Sequence, residues 1–259
     1  MNEELLARLS ASPKYRQLCP DTLRRAVDYC ADRYAPKELE KAVRRRLHGI
    51  TSAFMTEGEF KRAMKLAETP DERLPACHAS TRERLPLERA ARTYDALFSA
   101  APPGRVLDLA CGLNPLLLKL LRPELEILGC DISGQCVQIL RACGIKAKLS
   151  DVLSEIPEGD FDTVLLFKIL PLLEREEAGS AKRILERVPG KTVIVSFPTR
   201  TLSGRNVGME EHYEKMLADF LPERLTLSGS LSDDNEIYYI LKEKPRCPSC
   251  TWWQRPSET

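Results

Sequence analysis

The segment 104–118 constrains the fold more than any other, because it is typical of a β-strand, a tight turn and a helix in direct succession. Val106 and Leu107 have the aliphatic character of a buried strand, which ends at the acidic Asp108. The turn Ala110-Cys111-Gly112 contains only small residues, and glycine lets a backbone pass close to a ligand because it has no Cβ. In parallel sheets such turns lie where nucleotide-like ligands bind. The segment therefore predicts an α/β domain with a cofactor pocket.

The nature of the cofactor follows from the single glycine and from later acids. One glycine is too few for the dinucleotide fingerprint, and no Gly-Lys-Ser/Thr follows to make a phosphate loop. Asp131 ends a second predicted strand about 20 residues after the turn, where a carboxylate binds ribose hydroxyls. Asp151 follows a third strand and is placed to contact an adenine amino group. Each acid alone could equally be a helix N-cap. Asp108, Asp131 and Asp151, each at or after the end of a predicted strand, together favour S-adenosyl-L-methionine, which has no pyrophosphate to bind.

The pattern of the chain divides it into three parts. Residues 1–103 are predicted to be a helical N-terminal extension, and the segment Ala101–Gly104 is the clearest boundary. Residues 104–244 alternate between short aliphatic strands and helices, which predicts a parallel, doubly wound sheet with an antiparallel hairpin near its end. Predicted strands are 105–109, 126–131, 146–149, 162–168, 191–197 and 236–242, and predicted helices are 114–121, 134–142, 173–187 and 209–219. Residues 245–259 are predicted to be a flexible tail.

Charge is unevenly distributed, although the net charge is only +1. Basic residues outnumber acidic ones in the first hundred residues, and the reverse holds afterwards. A basic face of this kind can bind RNA phosphates, and the alternative is an ordinary solvated helix surface. The candidate RNA contacts in this region are Arg24, Arg25, Arg44, Arg45 and Arg46.

Two further segments carry candidate functional residues. Between His78 and Arg84, the arginines could bind a carboxylate or phosphate, and a capping box formed by Ser80 or Thr81 is the alternative. A polar, basic loop follows the predicted strand 191–197, at the edge of the sheet where substrates usually bind. There Phe197 could stack on an extruded base, and Arg200 and Arg205 could contact phosphates.

The remaining signals limit the class of protein. The nine cysteines are scattered in mostly apolar surroundings, which indicates reduced thiols rather than disulfides. Cys247 and Cys250 have metal-ligand spacing, but no second pair exists to complete a structural zinc site, so we expect no metal. No apolar run reaches the roughly 20 residues that span a bilayer. Acidic residues near Met1 are atypical of a signal peptide. We expect a cytoplasmic monomer with no membrane partner.

The sequence resembles the aminoglycoside-resistance 16S ribosomal RNA methyltransferases of the Arm/Rmt type, which modify N7 of a decoding-site guanine. The Gly112-Leu-Asn-Pro115 turn and the segment Phe167–Ser180 are specific to this family rather than general to methyltransferases. The other matching segments are 14–16, 18–22, 46–50, 78–85, 106–115, 129–132, 151–153, 195–200 and 204–205. The segment between Asp131 and Asp151 is shorter than in other members, and the tail lies outside the match.

The resemblance implies a Rossmann-like class I S-adenosylmethionine-dependent methyltransferase, with an all-helical extension that docks on 16S rRNA within the 30S subunit and an activity that confers aminoglycoside resistance. It implies no general base, with positioning by Asn114, Phe167 and Lys168. The cofactor contacts that it implies are Phe54, His78, Thr81, Arg84, Arg105, Ala110, Gly112, Asp131, Ile132, Asp151, Val152, Phe167 and Glu177.

Two alternatives remain open at this point. The protein could methylate another RNA or a small molecule, although the basic extension argues against a small substrate. It could also be a non-catalytic ribosome-binding protein that keeps the fold, although the retained Gly112, Asp131 and Asp151 argue against this.

Overall fold

The computed structural model describes residues 2–51, 54–199 and 209–245. The first hundred residues are helical, as the sequence predicts. Their helices are α1 (Asn2–Ala11), α2 (Pro20–Ala31), α3 (Pro36–Thr51), α4 (Glu57–Leu66), α5 (Ala79–Arg82) and α6 (Leu87–Ala100), with a 3₁₀ turn at Pro75–Cys77. Two helices, α5 and α6, follow His78, and Pro86 between them has no N–H to continue the first one.

The described residues after this region form one seven-stranded sheet. Its strands are β1 (Val106–Leu109), β2 (Ile127–Asp131), β3 (Lys146–Leu149), β4 (Thr163–Phe167), β5 (Thr192–Pro198), β6 (Leu225–Ser232) and β7 (Glu236–Glu243). The spatial order is β3-β2-β1-β4-β5-β7-β6, with the first five strands parallel and the β6–β7 hairpin antiparallel. Chain order therefore reverses between β1 and β4, which is where doubly wound sheets bind ligands. The predicted α/β class is confirmed.

Helices cover both faces of this sheet. They are α7 (Asn114–Leu121), α8 (Gly134–Ala142), α9 (Leu170–Glu176), α10 (Ser180–Arg187) and α11 (Met209–Phe220). The single helix predicted over 173–187 is wrong, because two helices occupy this region and Gly179 lies between them with a φ of 79°. Glycine adopts this left-handed conformation at little cost, and it allows the chain to change direction here.

Two hydrophobic cores flank the sheet. Side chains of α4, α6, α7 and α8 pack on one face with Val106 and Leu165, and those of α9, α10 and α11 pack on the other with Leu107 and Val164. A third core lies within α1–α3, around Leu9 and the buried Tyr15 ring. The helices α4 and α6 thus share a core with the sheet, and a boundary at residue 103 stays a prediction.

The α1–α3 unit is joined to the sheet by backbone bonds at the end of β2. Cys19 N donates to the carbonyl oxygen of Ile132 over 2.8 Å, and Gly134 N donates to that of Gln17 over 2.6 Å. A Cβ at Gly134 would overlap with the Gln17 carbonyl group, so glycine is required for this close approach. No helix in the described ranges is long and apolar enough to cross a membrane.

Gly134→Ala should therefore destabilise the protein by about 1–3 kcal/mol, because the added methyl group meets backbone that cannot rotate away. The measurement is the free energy of unfolding in urea. Gly49→Ala in α3 is the matched control: nothing lies within 4 Å of its Cβ position, and a helical Gly→Ala change stabilises by roughly 0.5–1 kcal/mol. Equal stabilities of the two variants would contradict the close contact at Gly134.

Candidate functional site

The candidate site lies at the carboxyl ends of β1, β2 and β4. Ala110 follows β1 with a φ of 54°, and Lys168 follows β4 with a φ of 56°. These two are the only non-glycine residues with positive φ among those described, and Gly112 adds a third left-handed turn at 53°. Left-handed backbone at non-glycine residues costs free energy and concentrates at functional sites. The strain thus coincides with the point where strand order reverses.

Asp131 fixes the glycine turn from the end of β2. Its Oδ2 accepts a hydrogen bond from Gly112 N at 2.7 Å, and its Oδ1 accepts one from Ser133 N at 2.8 Å. Burial raises the pKa of this carboxyl. Each oxygen has a further lone pair, so the carboxylate can still accept a hydroxyl donor. This placement agrees with the prediction that Asp131 binds a ribose.

Asp151 is bound to the N-terminal helices. Its Oδ2 accepts hydrogen bonds from Thr22 Oγ1 at 2.7 Å and from Arg25 Nη2 at 2.9 Å, and its Oδ1 accepts one from Leu153 N at 3.0 Å. Threonine often caps helices, but α2 begins at Pro20, and the Thr22 hydroxyl is buried against Asp151 instead. An acid predicted to contact the cofactor is therefore held by the extension.

His78 covers the glycine turn. Its imidazole packs where a Cβ of Gly112 would lie and stacks on Phe54, with ring centroids 5.7 Å apart and planes inclined by 7°. Burial lowers the pKa of His78 to about 4, with a smaller contribution from the positive charge of Arg84. The ring is therefore neutral at pH 7. Thr81 is buried beside it, and neither Ser80 nor Thr81 caps the short helix α5.

A buried ionic cluster lies at the same edge. Glu236, the first residue of β7, is paired through Oε1 with Arg84 Nε at 2.9 Å and with Lys168 Nζ at 3.0 Å. Ser196 donates to Glu236 Oε2 over 2.7 Å. Burial opposes ionisation of Glu236, but the two cations outweigh it and hold its pKa below the ordinary value. Glu236 was not predicted as a site residue. The sequence signal that could have identified it is an acid at the start of an otherwise apolar strand.

Asn114 and Phe167 belong to this cluster's surroundings. Asn114 donates to Asp108 Oδ2 over 2.7 Å and accepts hydrogen bonds from Arg84 and from the Tyr94 hydroxyl group. Burial raises the pKa of Asp108 to about 7. The Phe167 ring packs against the Arg84 guanidinium. Since its amide is buried and hydrogen-bonded through both its oxygen and its nitrogen, Asn114 orients these groups in this structure rather than facing a substrate.

Three predicted residues are not placed as their predicted roles would lead one to expect. Arg105 lies at the amino end of β1, where it is half-exposed and pairs with Glu126 at 3.3 Å. Glu177 is exposed and pairs with Arg183 at 2.6 Å. Phe197 is 0% exposed and stacks on Tyr213 with centroids 4.7 Å apart, so the prediction that it stacks on an extruded base is wrong. Alternation along β5 turns its ring into the core.

Ile132 and Val152 lie directly after Asp131 and Asp151; Ile132 is partly buried and Val152 is buried. Both are therefore next to the two acids at the edge of the sheet. The predicted RNA contacts Arg200 and Arg205, and the pair Cys247 and Cys250, lie outside the described residues.

The predicted RNA-binding arginines of the extension are not equivalent. Arg25 is bound to Asp151, and Arg46 is paired with Glu176 at 2.5 Å. Arg24 and Arg44 are more exposed and pair with Glu3 and Glu40, at 3.0 and 2.8 Å. Arg45 is exposed, with no ion pair to another described residue. Of these five arginines, Arg24, Arg44 and Arg45 are thus the ones best placed to contact a phosphate.

Comparison with known proteins now identifies the family. Residues 11–228 match the family model of the ribosomal RNA methyltransferases (FmrO). The chain belongs to this family. A Serratia marcescens 16S rRNA (guanine(1405)-N(7))-methyltransferase is 39% identical over 248 residues, covering 93% of this chain and 98% of the relative. The corresponding Proteus mirabilis enzyme is 32% identical, covering 92% and 96%.

Solved structures agree. RmtF, determined in complex with S-adenosyl-L-homocysteine, superposes with a TM-score of 0.83 at 38% identity, covering 94% of this chain and 98% of RmtF. The 16S rRNA methylase RmtB gives a TM-score of 0.83 at 36% identity, covering 94% and 99%. The resemblance, the methyltransferase fold with its helical extension and the S-adenosylmethionine cofactor are confirmed.

The polar side chains at the edge of the sheet fit this cofactor. Asp131 and Asp151 supply buried carboxylate acceptors on successive strands, which match the hydroxyl and amino donors of an adenosine. A neutral His78 adds no positive charge against a cationic sulfonium. In the described ranges no group of His, Cys, Asp and Glu side chains could hold a metal ion.

The low pKa of His78 predicts a pH-dependent stability. Its folded-state pKa of about 4 lies below the ordinary 6.5, so the unfolded chain binds more protons between these values. The contribution of His78 to the free energy of unfolding should therefore be intact above pH 6.5 and fall as the pH drops toward 4. His78→Gln should remove this slope. The measurement is urea unfolding of both proteins at several pH values, and identical slopes would show that His78 is not buried as a neutral ring.

Proposed function

We propose that the protein transfers the methyl group of S-adenosylmethionine to N7 of guanine 1405 in 16S rRNA, as its relatives are named for, and so confers aminoglycoside resistance. The observation that carries this proposal is the buried Asp131 carboxylate bonded to the left-handed Gly112 turn, at the reversal of strand order. Similarity to enzymes of this name over nearly the whole chain supports the choice of substrate.

The reaction needs no general base. When bound, S-adenosylmethionine supplies an electrophilic methyl group on a sulfonium. Guanine N7 has a lone pair and no proton at neutral pH, so transfer requires alignment and exclusion of water rather than proton removal. The described side chains agree with this, because His78, Asp108 and Glu236 are buried and already bonded or packed. Catalysis would arise from holding the donor and the base in line.

The residues that would hold the cofactor lie at the carboxyl edge of the sheet. Asp131 would accept ribose hydroxyls and Asp151 the adenine amino group, next to Ile132 and Val152. The turn of Ala110 and Gly112, with His78, Phe54 and Thr81, would enclose the cofactor, and Arg84 and Phe167 would lie beside it. Arg105 and Glu177 are the least supported members of the set, because Arg105 directly precedes β1 and Glu177 is exposed and paired with Arg183.

The N-terminal extension would bind rRNA within the assembled 30S subunit, and we infer that the protein acts there as a cytoplasmic monomer. Exposed arginines on α2 and α3 would contact phosphates, which position the enzyme without reading the base sequence. Lys168, whose ammonium is paired with Glu236, would contribute by holding the turn at the switch point, next to which the target base would lie.

Methyl transfer to purified 30S subunits tests the function. The protein is incubated with radiolabelled S-adenosylmethionine, and the labelled nucleotide is mapped. We expect label at N7 of guanine 1405. Asp131→Ala should lose both transfer and calorimetric binding of S-adenosylhomocysteine, whereas the exposed Asp160→Ala should lose neither. Label at another position, on free RNA only, or on a small molecule would reject the proposed substrate.

A susceptibility profile gives an independent readout of the same proposal. A host expressing the protein should become resistant to gentamicin and kanamycin types and remain sensitive to apramycin. Unchanged susceptibility, with the protein expressed and binding cofactor, would contradict the resistance function.

Arg45 separates RNA docking from cofactor binding. Because it is exposed and has no ion pair with a described residue, Arg45→Ala should weaken 30S binding and lower the slope of log K against log salt by about 1. Binding of S-adenosylhomocysteine should not change. The matched control is the exposed Arg187→Ala on α10. If both variants bound 30S subunits like the unsubstituted protein, Arg45 would not be a phosphate contact.

A further inference from the structure

The helix α2 directs two side chains at one carboxylate of the methyltransferase domain. Thr22 and Arg25, three residues apart on one helix face, both donate to Asp151 Oδ2, at distances of 2.7 Å from Thr22 Oγ1 and of 2.9 and 3.1 Å from Arg25 Nη2 and Nε. The side chain of Asp151 is 3% exposed and that of Arg25 is 25% exposed. Arg25 is thus the ion-pair partner of a nearly buried acid.

The neighbouring arginine behaves differently. Arg24 lies one position earlier on α2, where its side chain is 55% exposed and pairs with the exposed Glu3. Successive helix residues point in different directions, so Arg24 is directed towards solvent and Arg25 towards Asp151, although the two side chains are chemically identical. In sequence they are indistinguishable, and both were predicted to bind RNA.

We propose that Thr22 and Arg25 are positioning residues for the cofactor. They hold the Asp151 carboxylate so that its second oxygen, Oδ1, is presented to the adenine amino group of S-adenosylmethionine. This inference rests on the proposed function and extends it, because it makes part of the rRNA-docking helix a component of the cofactor site. The α1–α3 unit then serves both substrates.

Electrostatics supports this division of the carboxylate. A buried carboxylate without a cationic partner is strongly unfavourable, so Asp151 depends on Arg25 to stay in place. With Oδ2 occupied by α2, and Oδ1 accepting Leu153 N at 3.0 Å, one lone-pair direction of Oδ1 is left for a further donor. Charge-assisted hydrogen bonds of this kind also fix the direction of the carboxylate plane. An amino donor would meet an oriented acceptor.

Calorimetric titration of the full-length protein with S-adenosylhomocysteine tests this role. Arg25→Ala should bind about tenfold more weakly, since a hydrogen bond to a charged group contributes roughly that much. Arg24→Ala, the matched control on the same helix, should bind like the unsubstituted protein. Arg25→Lys should restore part of the affinity, because it keeps the charge without the two-pronged geometry. Thr22→Val, which removes only a hydroxyl, should weaken binding by roughly fivefold.

Two readouts separate positioning from general stabilisation. In the Asp151→Asn background, Arg25→Ala should have little further effect on binding, because the two changes remove the same interaction. In methyl transfer to 30S subunits, Arg25→Ala should raise the KM for S-adenosylmethionine and leave kcat within about twofold. A purely structural residue would lower affinity equally in both backgrounds.

The outcomes distinguish the two proposals. Equal affinities of Arg25→Ala and Arg24→Ala would overturn the positioning role, as would loss of 30S binding by Arg25→Ala with cofactor binding retained. If Arg25→Ala does not fold, unchanged affinity of Thr22→Val overturns it instead. Absence of S-adenosylhomocysteine binding by the unsubstituted protein would reject the proposed function itself.

Discussion

The buried ion pair between Arg84 and Glu236 is the interaction on which the rest of the site depends. Arg84 comes from the helical region and Glu236 from the last strand, and their side chains are 4% and 0% exposed. Either charge alone would be costly at that depth, so the pair is favourable only when the helical region is docked on the sheet. Lys168 and Ser196 also bind Glu236, by an ion pair and a hydrogen bond. These contacts fix the strained turn at Lys168. Docking of the helices and formation of the switch point are thus one event.

The helical region is therefore joined closely to the sheet by shared packing, backbone hydrogen bonds and ion pairs. The helices α4 and α6 share a core with the sheet, and α1–α3 are joined to it by the Gly134 contact and by two ion pairs, Arg25 with Asp151 and Arg46 with Glu176. An enzyme that transfers a methyl group without a general base must control geometry, since alignment is its main contribution. Close packing between the surface proposed to bind the 30S subunit and the site proposed to hold the methyl donor would serve this requirement.

The sequence predicts six of the seven described strands, because these are short aliphatic runs. It does not predict β6, whose residues are mostly small or polar and largely exposed. The turn at Gly112 and the acids Asp131 and Asp151 follow from local pattern alone. Partners that are distant in sequence could not be predicted in this way: Glu236 lies 152 residues from Arg84, and Asp151 lies 126 residues from Arg25. The prediction for Phe197 was wrong for a related reason. The sequence at the end of a strand does not show which face of the sheet a side chain lies on until the neighbouring strands are known.

The two neighbouring arginines of α2 show how a partner that is distant in sequence changes the role of a residue. Charge counting treats Arg24 and Arg25 alike, yet one faces solvent and the other neutralises an acid at the predicted cofactor edge. Because both arginines belong to one helix, a movement of α2 on binding rRNA phosphates would change the position of the Asp151 carboxylate. Coupling of this kind is reciprocal by thermodynamic necessity, so a cofactor that fixes Asp151 would also favour the docked position of α2. The junction would then favour binding of the particle by the enzyme that already carries its methyl donor.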